Sequence, residues 1–156
     1  MYSSEADINI ERGKGVEILY SEEAILQVRL TAPELIQFSG QDAYTEMPES
    51  FELQFFNQHQ KVESFLHADY GIIFDKRQLM RAVGNVVLKN KKGEQLFAEE
   101  LNWDQDKKLI YSDKFVKIVT EEEILFGEGF ESNEDFTEYT IKNLTGTIEL
   151  EKPLKE

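Results

Sequence analysis

A six-residue pattern that occurs four times constrains the fold more than any other feature of this sequence. Each copy starts Leu-x-(Ala/Gly): "LTAPEL" at 30–35, "LHADYG" at 66–71, "LFAEEL" at 96–101 and "LFGEGF" at 125–130. The two middle copies extend over residues 66–90 and 96–120, with a constant offset of 30 residues. Such a repeat predicts similar units that cannot bury their apolar faces alone and that stack to form one continuous inner face.

Apolar and polar residues alternate between polar turns, which is typical of β-strands. Phe51, Leu53 and Phe55 would share one face of a strand, and Glu52 and Gln54 would share the other. The turns recur at intervals that suit hairpins: "NQHQ" at 57–60, "DKRQ" at 75–78, "NKKG" at 90–93, "DQDK" at 104–107, "EEE" at 121–123 and "SNED" at 132–135. We therefore predict an all-β chain of short antiparallel strands, in which "LFAEEL" is strand despite its helix-forming residues.

The small residue at the third position of each copy has two interpretations. A small side chain allows the opposite sheet or a ligand to approach the strand closely. Alternatively, alanine only fills a tapering core. Both interpretations stay open on the sequence alone.

Composition and charge exclude several classes of function. The net charge of −14 over 156 residues argues against a nucleic-acid partner. The segment 61–92 is an exception, because it holds seven basic and three acidic residues. Its basic side chains would either solvate turns and protect strand edges, or bind phosphate or carboxylate groups locally. No cysteine is present, so disulfides and thiolate metal sites are excluded.

No catalytic or metal-binding constellation is recognisable, and we expect neither enzymatic activity, nor a cofactor, nor a metal. The two histidines, His59 and His67, are expected to face solvent. Asp104 and Asp106 resemble the start of a calcium loop, but the glycine and the distant glutamate of that loop are missing. No apolar stretch approaches the 18 residues that a membrane-spanning helix needs.

Four segments, taken in their order and spacing, resemble the LptC family, which also shares the wider OstA-type domain. They are "GNVVL" at 84–88, "LFAEELNWD" at 96–104, "IYSDKFVKI" at 110–118 and "GEGFES" at 127–132. The resemblance covers about residues 16–150. It implies an open, twisted β-jelly roll over 16–150, preceded by a flexible lead-in at 1–15 and followed by a tail at 151–156.

The resemblance also implies a function in lipopolysaccharide export. Members of the family receive lipopolysaccharide from an inner-membrane ABC transporter of LptB, LptF and LptG, and pass it to LptA on the way to the outer membrane. The chain is expected in the periplasm, attached to the inner membrane by an N-terminal anchor that this sequence lacks. Exposed charges contribute about 1 kcal/mol each or less, so acyl-chain burial is expected to outweigh the unfavourable net charge.

Two kinds of site residue follow from this expectation. The lipid-binding groove would be lined by inward-facing apolar residues: Leu30, Ala32, Phe51, Leu53, Phe55, Leu66, Ala68, Val86, Leu88, Leu96, Ala98, Val116 and Ile118. The edges of the open jelly roll would pair with neighbouring proteins by strand addition. Val16, Ile18 and Tyr20 would meet LptF and LptG, and the C-terminal edge would meet LptA through Tyr139, Ile141, Leu144 and Ile148.

Two alternatives belong to other functional classes. A carbohydrate-binding or adhesin-type β module would place aromatic residues such as Trp103 and Tyr111 on an exposed platform. A hydrolase with a carboxylate pair is compatible with the abundance of Asp and Glu. For the thirteen apolar residues, a closed core without ligand is the competing interpretation.

Overall fold

The computed structural model of the protein describes residues 9–151, and nearly all of them lie in antiparallel β-structure. Residues 1–8 of the expected lead-in and 152–156 of the expected tail lie outside the described residues. The strands are β1 (Ile10–Glu22), β2 (Ile25–Phe38), β3 (Tyr44–Met47), β4 (Phe51–Phe56), β5 (Val62–Ala68), β6 (Tyr70–Phe74), β7 (Leu79–Asn90), β8 (Gln95–Asp104), β9 (Leu109–Val119), β10 (Glu123–Asn133), β11 (Tyr139–Ile141) and β12 (Leu144–Glu149). A short 3-10 helix, Asp75–Arg77, joins β6 to β7.

The twelve strands form one sheet that follows the order of the chain. β3 and β4 run in succession along β2, and β5 and β6 run in succession along β7. β11 and β12 likewise share one side of β10. Every pairing is antiparallel, and β1 and β12 each pair with a single strand. The prediction of an all-β, open jelly-roll fold is confirmed, but several strands are 10–14 residues long rather than short.

A line of backbone irregularities crosses the sheet, and we call it the crease. The register shifts by one residue within β7–β8, β8–β9 and β9–β10. Three residues with positive φ lie at these shifts, Gly84, Asn85 and Gly129, and Gly15, Ser50 and Asn143 have positive φ on neighbouring strands or turns. Gly129, with φ +100°, has a conformation that L side chains rarely adopt. Because bulges bend a strand and increase its twist, a line of them folds the sheet back on itself.

The crease divides the sheet into two walls that enclose the core. The first wall holds β4, β5 and β12 with 16–20, 28–32, 86–90, 95–98, 116–119 and 123–127. The second wall holds β3, β6 and β11 with 10–12, 36–38, 79–83, 101–104, 109–112 and 130–133. Trp103 of the second wall makes edge-to-face contact with Phe55 of the first wall, with ring centroids 5.3 Å apart. The walls therefore pack against each other through their inner faces.

The sequence repeat is explained by a single row of residues, which we call the leucine row. In register, it runs across the first wall from strand to strand as Ile18, Leu30, Leu53, Leu66, Leu88, Leu96, Ile118 and Leu125. The leucines that begin the four copies are all members of it. Leu66 of β5 and Leu96 of β8 are 30 residues apart, and the chain between them forms β6, β7 and their turns.

The small residue of each copy lies two residues further along its strand, beside the crease. Ala98, Val116 and Gly127 are partners in register there. A Cβ atom added to Gly127 would collide with Cγ2 of Ile141 and would lie 3.0 Å from the backbone oxygen of Asn143. At this position the small residue therefore allows close approach of the neighbouring strand of the same sheet, rather than of an opposite sheet or a ligand.

The first strand starts earlier than the sequence suggested. β1 begins at Ile10, so residues 10–15 pair with β2 although they were expected to belong to a loose lead-in that ends at residue 15. The segment "IERGKG" lacks the alternating pattern of a strand, because most of its side chains are exposed on a sheet edge.

We predict that Gly127→Ala lowers the free energy of unfolding by about 1–3 kcal/mol, because the added methyl group overpacks the space beside Ile141. Gly146→Ala is the matched control, since its Cβ would lie 3.6 Å from Cδ2 of Phe126, an ordinary contact. Urea denaturation of both variants measures the difference. Equal midpoints for the two variants would show that the strands have room at the crease.

Candidate lipid-binding interior and partner edges

The thirteen residues expected to line a groove all point into the space between the walls. Twelve of them are buried in one hydrophobic core, and Ala98 is partly buried against it. The structure thus brings the predicted residues together on one face, where they form a packed core between the walls. A lipid can enter between the walls only if they separate.

Aromatic side chains close the interior near the end of the first hairpin. The ring of Tyr20 lies edge-to-face on Trp103, with centroids 5.6 Å apart. Burial, with a smaller contribution from the charge of Asp75, raises the pKa of Tyr20 to about 12. Trp103 is almost fully buried, so it cannot belong to the exposed aromatic platform that a carbohydrate-binding module would need.

The loop of residues 133–138 covers the open side of the walls opposite the crease, and we call it the latch. Its Phe136 is fully buried and packs on Phe130 and Tyr139, with centroids 5.8 and 4.9 Å away. The loop comes from the second wall, yet it is held by the first wall through Ser64 and Asn90.

Three hydrogen bonds fasten the latch. Ser64 Oγ donates to the backbone oxygen of Glu134 at 2.6 Å, and Asn90 Nδ2 donates to that of Phe136 at 2.8 Å. Trp103 Nε1 donates to the Glu134 carboxylate at 2.8 Å. Because Ser64 and Asn90 are themselves buried, opening the latch exposes them to water and breaks their two bonds to the loop together.

Two carboxyl groups of the latch, those of Glu134 and Asp135, are harder to ionise when the latch is closed. Burial raises the pKa of Glu134, although the bond from Trp103 and the charge of Lys108 oppose the shift. Burial and the charge of Glu63 also raise the pKa of Asp135. Both carboxylates therefore favour the closed latch more when they are protonated than when they are charged.

A small cavity remains at the mouth between the walls. Its volume is about 210 Å³, and Tyr20, Trp103, Lys108 and Glu134 are among its lining residues. Lys108 forms an ion pair with Glu22 across this mouth, with 3.0 Å between Nζ and Oε1. Contacts between surface side chains, rather than strand pairing, therefore keep the two walls together at the mouth.

Sequence reasoning missed the latch. The segment "SNED" at 132–135 was identified as a turn, which is confirmed, but the turn signal does not show that the following Phe136 enters the core. Phe136 takes a left-handed conformation with φ +56°, which aims it inward. The spacing of Phe130, Phe136 and Tyr139 is the only sequence signal that could have indicated an aromatic cluster here.

Both ends of the sheet are free edges, and apolar side chains are exposed on them. On β1, Ile10 and Leu19 are exposed, whereas Val16, Ile18 and Tyr20 turn partly inward against the core. On the C-terminal side, Leu144 is 57% and Ile148 is 51% exposed, whereas Tyr139 and Ile141 pack partly on the core. Exposed apolar residues on an unpaired edge strand are a hazard unless another strand covers them.

The outward backbone donors of β12 can be assigned from the register. Leu150 N donates inward to the Glu122 oxygen, and Ile124 and Phe126 pair with Ile148 and Gly146. Because amide directions alternate along a regular strand, the N–H groups of Thr147 and Glu149 point away from the sheet. These groups are available for a further strand.

Within residues 9–151, no group of three or more His, Asp or Glu side chains is placed to hold a metal ion. Among the same residues, no helix is long and apolar enough to cross a membrane. His59 lies in a turn and His67 is exposed on β5, as the sequence indicated.

The family of the chain follows from a comparison with family models. Residues 7–149 match the model of LptC, described as lipopolysaccharide-assembly, LptC-related. The protein belongs to the LptC family. The family implies a role in lipopolysaccharide transport, and its members are periplasmic components of the Lpt system. No curated protein matches the chain significantly.

We predict that Glu134→Gln stabilises the closed latch at pH 7 and has little effect at low pH. Because the pKa of Glu134 is raised in the closed latch, the free energy of closing becomes less favourable as the pH rises and the carboxylate ionises. At a pH low enough to protonate Glu134, the parent and the glutamine variant are both neutral at this position. Glutamine can still accept the bond from Trp103. Hydrogen exchange of residues 133–138, expressed relative to the unfolded chain, measures the effect at both pH values.

Asp42→Asn is the control, because it removes the same charge from an exposed turn between β2 and β3, outside the mouth cavity. If Glu134→Gln and Asp42→Asn change protection of the latch equally at pH 7, the effect is one of net charge and not of Glu134 burial.

Proposed function

We propose that this protein holds the acyl chains of lipopolysaccharide between its two walls and passes the lipid from an ABC transporter to LptA. In this proposal the β1 edge adjoins the periplasmic domains of LptF and LptG, and the β12 edge adjoins LptA. The observation that carries it is the leucine row, which extends across the first wall from Ile18 at the β1 edge to Leu125 of β10, the strand beside the C-terminal edge. A strand added at the β1 edge would extend this apolar row into a neighbouring domain. At the β12 edge the position in register is Thr147, and the exposed Leu144 and Ile148 supply the apolar surface.

The thirteen core residues listed above are the proposed acyl-chain contacts. Lipid entry requires the latch to open, which exposes Phe136 and breaks its hydrogen bonds. Exposing a large apolar side chain costs about 1.5–3 kcal/mol, and each net hydrogen bond contributes about 0.5–1.5 kcal/mol. Ten buried methylene groups would return roughly 8 kcal/mol before entropic costs. Acyl burial is therefore large enough to offset opening of the latch.

The charge of the molecule is compatible with this role if the lipid headgroup stays outside. The mouth between the walls carries Glu22, Lys108 and Glu134 and is not a cluster of basic residues. A carrier must also release its lipid, and weak contacts with the phosphorylated sugars favour release. In this proposal the direction of transfer comes from the ATP-driven transporter, and the protein supplies no catalytic group.

Photo-crosslinking at two adjacent positions tests the interior as the lipid site. Phe55 is buried between the walls, whereas Phe56 lies on the opposite face under the guanidinium of Arg29, 5.6 Å from its ring centroid. We expect p-azidophenylalanine at position 55 to form an adduct with lipopolysaccharide in cells that export it. The same residue at position 56 should form little or none.

Equal adduct formation at positions 55 and 56, or its absence at 55 in a folded variant, would contradict an interior site. Thermal unfolding of both variants, measured in parallel, shows whether the added azide disturbs the core.

A proline at position 147 tests the C-terminal edge. Thr147→Pro removes an N–H that points away from the sheet and spares the inward bonds of β12 to β10. We expect it to weaken LptA binding by tenfold or more, since backbone bonds carry much of a strand-addition interface. Thr147→Ala keeps the N–H and should bind LptA within about twofold of the parent. Affinity is measured by titration of purified LptA.

Gly146→Pro provides the structural comparison, because the amide of Gly146 points inward and its loss should destabilise β12 itself. If Thr147→Pro is folded and binds LptA as tightly as Thr147→Ala, the β12 edge is not the joint.

A further inference from the structure

A second apolar surface lies on the outside of the first wall, away from the core. It is formed where β7, β8 and β9 approach the crease, and its groove has a volume of about 740 Å³. The side chains that give it an apolar character are Val87, Phe97 and Phe115, and Phe126 stacks on Phe115 with ring centroids 6.1 Å apart. This volume lies within the range of about 300–1,000 Å³ that is typical of ligand pockets.

The crease is the reason for the exposure of Phe115. The amide of Lys114 bonds the hydroxyl of Ser112, and Asp113, Lys114 and Phe115 are three exposed residues in succession. This break in alternation turns Phe115 outward, so that 54% of its surface is exposed. A large exposed aromatic ring beside a groove needs an explanation that packing of the core does not give.

Two lysines border the apolar groove. Lys117 lies over the ring of Phe97, with Nζ 5.2 Å from the centroid, and Lys114 lies beside Phe115. Neither lysine forms an ion pair with any residue between 9 and 151. One carboxylate, Glu99, also lines the groove from β8. The charged residues that line the groove therefore sum to +1, on a chain whose net charge is −14.

The chemistry of this surface favours an amphiphile over a peptide. Strand residues 87–88, 96–98 and 116–118 are paired on both sides within the sheet, so their backbone groups are already used. An extended peptide laid across them could not be bound by strand addition, which needs free backbone groups on an edge. A hydrocarbon chain needs no such partners, and its phosphate could be bound by the ammonium groups of Lys114 and Lys117.

We propose that this outer groove binds one anionic phospholipid, with acyl carbon against Phe97, Phe115 and Phe126 and phosphate against Lys114 and Lys117. The groove is on the opposite face of the sheet from the interior row, so the proposal does not depend on lipopolysaccharide transport between the walls. Its size suits a lipid of one or two chains better than the several chains of a lipopolysaccharide.

The test is a titration of the protein with lysophosphatidylglycerol below its critical micelle concentration. Amide chemical shifts in NMR spectra report the binding. We expect shifts to concentrate at 85–87, 97–99 and 114–117. Lysophosphatidylcholine of the same chain length, which has no net charge, should bind about five- to tenfold more weakly, as expected for loss of one or two exposed ionic contacts. Monomeric lipid A analogue, added to the lipid-bound protein, should not displace the lysolipid from these positions.

Variants separate the charged and apolar contributions. Lys114→Ala combined with Lys117→Ala should weaken lysophosphatidylglycerol binding about five- to tenfold and leave lysophosphatidylcholine nearly unchanged. Glu99→Gln should strengthen only the anionic lipid, and Phe115→Ala should weaken both lipids. The matched control is Lys76→Ala combined with Lys107→Ala, which makes the same charge change at the far end of the strands.

Three results would overturn the proposal: equal binding of the two lysolipids by the parent, an equal effect of the two double-lysine variants, or shifts confined to the leucine row. Displacement by the lipid A analogue would assign the groove to lipopolysaccharide and so overturn the phospholipid as its occupant. Since all variants are at exposed or partly exposed positions, unfolding is checked by the dispersion of the same spectra.

Discussion

The crease is the feature on which the rest of the structure depends. A meander of antiparallel strands has no partner layer of its own, so its apolar face must be covered by the same sheet. Bulges and left-handed residues at one level of successive strands fold the sheet back and bring its two walls into contact. The small residues beside the crease, of which Gly127 is the most restricted, allow the walls to meet there.

The same bend creates a side that the sheet cannot close. Opposite the crease, closure depends on the latch, which places Phe136 in the core and bonds to Ser64 and Asn90 of the other wall. Such a closure is local, and its acidic groups are less favourable when charged. A loop can open without breaking the ladder, whereas opening at the crease would disrupt many strands at once. This difference makes the latch the natural entry for the lipid in the function proposed above.

The strand edges and the interior are linked by register. Since eight of the twelve strands contribute one residue to the leucine row, a strand added to β1 extends that row as well as the hydrogen bonds, and a strand added to β12 continues the ladder beside the exposed Leu144 and Ile148. A family that works as a bridge benefits from this arrangement, because one kind of contact joins both the backbones and the apolar surfaces. The negative net charge has little influence on it, since exposed charges are screened by salt.

Alternation, turn spacing and the 30-residue repeat were sufficient to predict the all-β fold, the inward-facing residues such as Leu53 and Leu66, and the turns, because side-chain direction in a strand depends only on local sequence. The strand at residues 10–15 was hidden, since an edge exposed on both faces shows no alternation. The two-wall packing, the burial of Trp103 and the entry of Phe136 into the core were decided only in the tertiary structure. They depend on contacts between residues far apart in the chain, which local patterns do not encode.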